Sequence, residues 1–491
     1  MQQSHNKKQT CQFLSNKFSV VVLGLILFTL SGCAAVGPDY NSPATQLPVD
    51  WNATVDPAVL PRTELIRDWW TIFNDPMLTQ FIESAAENNL DVLTAVARVE
   101  ETRARLGIEA GNRYFSANVD GSITHEQTSA NGRGNGQEDT YYTPNIGASW
   151  ELDLFGRVRR SVEAATAEYQ ASEEDYNDVM ISLYSYVSLT YFDVRTNQAR
   201  LASAEANIRS QDEVFQLTRS RFNHGLATDL DVAQAERLLA RAEAEVPPLK
   251  VSLSKALNRL AVLLGRMPGS LHAQLLEPRP IPLPPNKATI GVPADLLRQR
   301  PDIRRAERLL AAQTARIGIA TADLYPSFSL TGVFGFESVS TNDLFDAGSK
   351  MFSFGPSLRW NIFSGGRIRN QIKAQDAVTR QALLNYEQAV LTGLLEVENS
   401  LKAYVEDRVR LGALERSVAA ARRSVRLSTR LYKQGLVDFQ PVLDAQRDQF
   451  NFEDQLAVAR GNSAANFVQL YTSLGGGWQP QQLPHDKEIN Q

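Results

Sequence analysis

Histidine, methionine and cysteine are scarce in this 491-residue chain, with five, five and two copies. His5, His125, His224, His272 and His485 are scattered, and none has a second His or Cys at ligand spacing. No metal site and no cofactor are therefore expected, and the Met or His ladders that metal export would call for are missing. Catalytic signatures are missing too. There is no nucleophile elbow and no pair of carboxylates in a recognisable catalytic setting. Gly132-Arg133-Gly134-Asn135-Gly136 superficially looks like a phosphate loop, but it lacks Lys-Ser/Thr and opens no helix, so a flexible loop is expected and no enzyme. Positive charge is not in excess either. The formal charge is −5, and leaving aside Lys7, Lys8 and Lys17, the only charges before residue 33, takes the remainder to −8. That balance argues against nucleic acid as a partner. Beyond residue 33 no apolar run reaches the length of about 18 residues that a spanning helix needs, so any membrane crossing falls to strands.

The chain does have an N-terminal apolar run. Phe18 to Leu30 follows the three lysines and fits the hydrophobic part of a secretory signal. It ends in Leu30-Ser31-Gly32-Cys33, which resembles the bacterial lipobox, and that resemblance implies lipidation of Cys33 as the first residue of the mature protein. Ala34, rather than Asp, at the next position implies delivery to the outer membrane. Cys11 lies in the segment removed, so the mature chain keeps one Cys and no internal disulfide.

A duplication organises the rest. Ala104-Arg105-Leu106-Gly107-Ile108 recurs as Ala315-Arg316-Ile317-Gly318-Ile319, an offset of 211. Trp150 and Gly156-Arg157-Val158-Arg159 recur as Trp360 and Gly366-Arg367-Ile368-Arg369, and Phe222-Asn223-His224-Gly225-Leu226 matches Tyr432-Lys433-Gln434-Gly435-Leu436, both at an offset of 210. The expected domains are a signal over 1–32, an N-terminal extension with a short helix over 33–90, a first repeat over 91–264, a Pro-rich connector over 265–301, a second repeat over 302–473 and a flexible tail over 474–491.

Each repeat reads as a helix, two strands and a long helical hairpin. The strands alternate strictly: Phe115, Ala117, Val119, Gly121 and Ile123 oppose Ser116, Asn118, Asp120, Ser122 and Thr124, and Ile146, Ala148, Trp150 and Leu152 form a second apolar row. In the second repeat Phe328, Leu330, Gly332 and Phe334 form one row, and Phe352, Phe354, Leu358, Trp360 and Ile362 another. An apolar outside and a polar inside suit a transmembrane barrel, whose smallest versions need about eight strands, so four predict an oligomer. From Val158 to Phe222 neither Pro nor Gly occurs. The narrow apolar stripe there predicts a long coiled-coil helix in water, turning at Gly225, and at Gly435 in the second copy. Pro247-Pro248 is expected to break or kink the first returning helix.

Taken together these residues resemble the TolC family of outer-membrane efflux proteins, in its lipoprotein branch. The matching motifs are Val36-Gly37-Pro38-Asp39-Tyr40, Asp68-Trp69-Trp70 with Phe73 and Asp75-Pro76, Trp150-Glu151-Leu152-Asp153-Leu154-Phe155-Gly156, Gln299-Arg300-Pro301-Asp302-Ile303 and Asp444-Ala445-Gln446-Arg447. The resemblance implies a mostly α fold with transmembrane β: a homotrimer whose twelve-stranded β-barrel continues as a periplasmic α-helical barrel. It implies an exit duct, lipid-anchored in the outer membrane and without chemistry of its own, that joins a periplasmic adaptor protein and an inner-membrane pump of the RND type. It also implies a periplasmic gate at Asp444, with Gln440 where relatives carry Leu and with Tyr432, Lys433 and Arg447 bracing it, and adaptor docking at Gly225, Leu226, Gly435 and Leu436. The other reading of the residues is a structural coiled-coil envelope lipoprotein that does not conduct; polar inner strand faces favour the duct.

Overall fold

The computed structural model describes residues 35–44, 51, 59–61, 68–132, 135–285, 288–290 and 299–477. The expected signal segment, Cys33 and residues 478–491 lie outside the described residues. In chain order the elements are β1 (Val59–Pro61), α1 (Pro76–Asn88), α2 (Leu90–Gly111), β2 (Ser116–Gln127), β3 (Glu138–Leu152), α3 (Arg157–Asn223), α4 (Asp229–Leu263), β4 (Ala288–Ile290), α5 (Pro301–Ala322), β5 (Ser327–Phe336), β6 (Lys350–Arg359), α6 (Arg367–Lys433) and α7 (Gln440–Ser473). The order helix, two strands, long helix, returning helix therefore occurs twice. α3 and α6 each hold 67 residues. The short parallel pair β1–β4 was not expected, because three residues are too few to show alternation.

The chain forms two compact units, one of residues 1–43, 100–171 and 306–386, the other of residues 44–99, 172–305 and 387–491. Each unit takes corresponding parts of both repeats, so the repeats themselves are not the compact bodies.

The first unit holds an antiparallel sheet in the order β2-β3-β5-β6. Its register sets Val119 against Ile146, Ile146 against Phe334 and Phe334 against Phe352, so the apolar rows of both repeats merge on one face. Val119, Ile123, Ile146, Trp150, Leu330, Phe334, Phe352, Phe354 and Leu358 are each at least 41% exposed there. A contiguous apolar face of this kind needs lipid or protein against it. The opposite face carries Ser, Thr and Asn, with the Ser329 and Ser357 hydroxyls 2.7 Å apart. Among the described residues the outer edges of β2 and β6 pair with nothing. β6 stops at Arg359, short of the expected Trp360 and Ile362. There the Trp360 indole donates to the Leu324 carbonyl at 3.0 Å, and Trp150 donates to the Arg113 carbonyl at the same distance. The duplicated Trp thus joins the end of a strand to the chain just after a helix, in both repeats.

The second unit explains the Asp-Trp-Trp motif. Asp75 caps α1 by accepting from the Met77 and Leu78 amides, with Pro76 in the first turn, where its missing N–H costs nothing. Trp69, Phe73, Phe81, Tyr191, Phe192 and Phe467 are almost fully buried. Their rings meet at offset angles: Phe73 lies 4.8 Å from Phe192 and 5.3 Å from Phe467. α4 runs unbroken through Pro247 and Pro248, so of the expected break or kink the break does not occur. The two prolines remove two amide donors, but Ala242 and Leu249 on either side are buried and hold the helix together. The chain is also packed past the end of α7: Leu474 is fully buried, so the expected flexible tail cannot start at residue 474.

Candidate functional site

The two hairpin turns come first, since α3 and α6 end by the same device. Gly225 has φ +67° and Gly435 has φ +69°. The Gly225 amide donates to Phe222 O at 2.9 Å and the Leu226 amide to Arg221 O at 2.8 Å; in the second copy Gly435 donates to Tyr432 O and Leu436 to Leu431 O, both at 3.0 Å. These paired bonds make a Schellman motif, in which a glycine in the left-handed region satisfies the last carbonyls. The following leucines point outward, Leu226 at 65% and Leu436 at 68% exposure. In the first turn the residue where an apolar contact would sit is Arg221, so Leu226 has no apolar partner there. α4 then restarts behind a capping box between Thr228 and Asp231.

The residues expected at the gate separate into two groups. On α7, Asp444 accepts from the Gln440 amide at 3.2 Å and lies 3.3 Å from the Arg447 guanidinium. These are neighbours on one helix face, and the Asp444 side chain is 45% exposed. Tyr432 and Lys433 have different partners. Tyr432 is buried against Phe439, Val442, Leu443, Val214, Ala235 and Leu238. The Arg221 guanidinium lies 4.6 Å from its ring centre and donates to Tyr432 O at 3.0 Å and Leu226 O at 3.4 Å. The Lys433 carbonyl is a weaker acceptor of the same group at 3.5 Å. Arg221 thus clasps the second hairpin onto the first. The duplication could not reveal it, because its counterpart in the second copy is Leu431.

The segment after Cys33 is pinned as well. The Val36 amide donates to Phe155 O at 3.1 Å. Arg160, its side chain only 4% exposed, donates to Val36 O, Gly37 O and Asp39. The Tyr40 hydroxyl donates to Glu307 at 3.0 Å; burial and then the Glu307 charge raise its pKa to about 12. Gly37 has φ +90°, and a Cβ there would lie 2.4 Å from the Gly318 Cα. In the duplicated Ala-Arg-x-Gly-Ile motif the glycine therefore makes a close approach at Gly318, while Gly107 has open space around it.

A second buried arginine joins the helices of the other unit. Arg300 donates to Asp302, to Glu396 at 2.7 Å and to Ser473 O at 2.7 Å, so it ties the start of α5 to the middle of α6 and the end of α7. The Arg-Pro-Asp motif is thus a structural joint. These carboxylates raise the Arg300 pKa against the opposing effect of its burial, which is the largest single influence. Asp178, facing the same small cleft, is raised by burial and then by repulsion from Asp302. Among the described residues no cluster of His, Cys, Asp or Glu could hold a metal.

Comparison with known proteins gives these features their context. The sequence model of the outer membrane efflux protein family matches residues 81–266 and 292–476. The chain is 34% identical over 457 residues to nodulation protein T of Rhizobium leguminosarum bv. trifolii, covering 92% of this chain and 96% of that protein. It is 30% identical over 455 residues to the cation efflux system protein CusC of Escherichia coli, covering 92% and 98%. Among solved structures, the outer-membrane channel OprN superposes with a TM-score of 0.86 at 36% identity, covering 91% of this chain and all of that one. CusC superposes with a TM-score of 0.80 at 29% identity, covering 90% and 100%.

Proposed function

The chain belongs to the outer membrane efflux protein family and is an outer-membrane channel for efflux; from that premise we propose that three copies close a twelve-stranded barrel that passively conducts cargo handed on by a periplasmic adaptor and an RND-type inner-membrane pump. The observation that carries the trimer is the four-stranded sheet with an apolar face and two unpaired edges. Bare edges cannot be left in lipid, because each unpaired backbone group there costs several kcal/mol. Three sheets joined edge to edge remove every one.

Cys33 carries the lipid that holds the start of the chain at the membrane. Three residues later, at Val36, the pinned segment begins, and Arg160 and Tyr40 fix where that anchor meets the protein. The gate is at the hairpin turns. Asp444 from three chains forms a ring of like charge, held by Gln440 and Arg447, while the Arg221–Tyr432 clasp keeps the second hairpin against the first. The exposed Leu226 and Leu436 give a trimer six similar apolar knobs on which the adaptor docks.

Light scattering of the purified protein in detergent is expected to return a trimer, intact mass a chain beginning at acylated Cys33, and planar bilayers discrete channel openings. A stable monomer would refute the barrel. A trimer that never conducts would leave only the structural, non-conducting lipoprotein.

A further inference from the structure

We propose that the outer faces of α4 and α6 form a charge-matched seam between copies, in which Asp229, Glu236 and Glu243 on α4 meet Arg430, Arg423 and Arg416 on α6 of the neighbouring copy. The inference rests on the trimer proposed above and names the helical faces through which its copies join.

Contacts within one chain leave one face of each of these helices bare. α3 and α7 are joined by Arg200 to Asp454 and by Gln446 to Ser210. α6 packs on α7, where Leu414 and Val418 meet Leu456 and Ala459 and where Glu453 and Glu415 hold Arg422 and Arg460. α4 turns Ala235 and Leu238 into the cluster around Val214 of α3. These contacts place the helices in the order α4, α3, α7, α6, so α4 and α6 are the outer members.

The bare faces carry opposite charge at one spacing. Asp229, Glu236 and Glu243 recur every seven residues, as do Arg416, Arg423 and Arg430, and all six are exposed. A step of seven returns to nearly the same side of a helix, so each set is a single stripe. The acidic stripe runs beside the half-buried Val232, Leu239 and Val246, and the basic one beside Val409 and Leu427, 68% and 50% exposed. Apolar rows flanked by complementary charges are the means by which paired helices choose partner and register. Among the described residues none of the six charged groups is paired in its own chain, whereas Arg422, Arg447 and Arg460 are. Between Arg408 and Lys433 the only acid on α6 is Glu415, already held by Arg460. On α4, Arg237 and Arg241 lie about 100° and 140° further round the helix than Glu236, off the acidic stripe.

The heights match as well as the signs. Arg430, Arg423 and Arg416 stand 5, 12 and 19 residues before Gly435, and Asp229, Glu236 and Glu243 stand 4, 11 and 18 residues after Gly225. Arg221 bonds both Leu226 O and Tyr432 O, which sets the two turns level. Rotation about a threefold axis along the hairpins changes no height. Each arginine of one copy therefore comes level with a carboxylate of the next to about 1.5 Å, the rise of one residue. The duplication does not supply the basic stripe: at an offset of 210 its arginines correspond to Ala206, Glu213 and Ser220.

The test combines cross-linking with charge exchange in the full-length chain. Trimers of the double variant Glu236→Cys with Arg423→Cys, treated in detergent with a short thiol–thiol cross-linker, are expected to give covalent dimers and trimers on a denaturing gel, and each single variant none. Glu236→Cys with Arg416→Cys, about 10 Å out of register, is expected to give far fewer. Arg423→Glu and Glu236→Arg are each expected to lower the trimer fraction on dilution about threefold or more at about 0.1 M salt, and the two changes together to restore it. At about 1 M salt all four proteins are expected to converge. A wild-type trimer whose double-cysteine variant stays monomeric on the gel would overturn the seam, as would a double exchange no better than either single one. Charge-reversed trimers as stable as wild type that lose efflux would assign the stripes to the adaptor and overturn it too. A wild-type chain that is a stable monomer refutes the trimer itself, which separates the two failures.

Discussion

Replacing Arg221 by Ala should loosen the closed hairpins more than any other single change at the turns. The side chain donates to Tyr432 O at 3.0 Å and lies 4.6 Å from the Tyr432 ring centre, joining α3 to α6. A hydrogen bond from a charged donor is worth about 1.5 kcal/mol, and a partly exposed cation–π contact about 0.5 kcal/mol. About 2 kcal/mol per chain is roughly a thirtyfold shift of the closed-to-open equilibrium. The Schellman bond at position 221 uses the backbone carbonyl, so Ala leaves the glycine turn intact. Tyr432→Phe is the matched control. Among the described residues the buried Tyr432 hydroxyl has no hydrogen-bond partner, so its removal should keep the gate shut and leave stability unchanged or slightly raised. The assay is open probability and resting conductance in planar bilayers, with leakage of a small dye from cells as the second readout. Arg221→Ala channels as quiet as wild type, or Tyr432→Phe channels as leaky as Arg221→Ala, would refute the clasp.

Leu226→Glu with Leu436→Glu should abolish efflux while trimer assembly and basal conductance stay normal; export that survives the pair of changes places the adaptor elsewhere. Asp178 has a folded-state pKa raised by burial and by Asp302, so its ionisation weakens the folded state. That penalty is absent below the unfolded carboxyl pKa of about 3.9 and grows as pH rises through the folded value; Asp178→Asn should therefore raise the thermal midpoint at neutral pH and converge with wild type near pH 4, and equal midpoints throughout would refute it. Gly461 on α7 meets α3 so closely that a Cβ would lie 2.2 Å from the Thr196 hydroxyl oxygen and 3.2 Å from its Cβ. Gly461→Ala should thus destabilise the chain by about 1–3 kcal/mol in denaturant titrations, with Thr196→Ala restoring part of the loss.

The long helices and their ends were legible because each signal is local. Sixty-five residues from Val158 to Phe222 without Pro or Gly, then a lone Gly, predict a long helix and a left-handed stop. The structure has both, one residue longer at either end. At Pro247-Pro248 the break, one of the two expected outcomes, does not occur, because a local penalty is opposed by packing of the buried Ala242 and Leu249 on either side. The arrangement of the residues expected at the gate was half legible. Gln440, Asp444 and Arg447 are spaced three and four apart on one helix, and that spacing alone places them side by side. Tyr432 and Lys433 were expected to join them, but they are claimed by Arg221, more than 200 residues away in sequence, with no pattern to announce it.

The sequence by itself determined the duplication, the alternation of the four long strands, the ends of the long helices and the scarcity of metal-binding side chains, all of which depend on spacing along the chain. Only the tertiary structure decided how the two copies interleave. It merged two strand pairs into one sheet by setting Asn145–Leu152 against Phe328–Gly335, and it divided the chain into compact units that cut across both repeats. It also gave the two copies of one motif different tasks, placing Gly318 against Gly37 and leaving Gly107 in open space. The physical reason is that local conformation follows from neighbours three or four residues away, whereas pairing between distant segments depends on which surfaces remain to be buried after the helices and strands have formed.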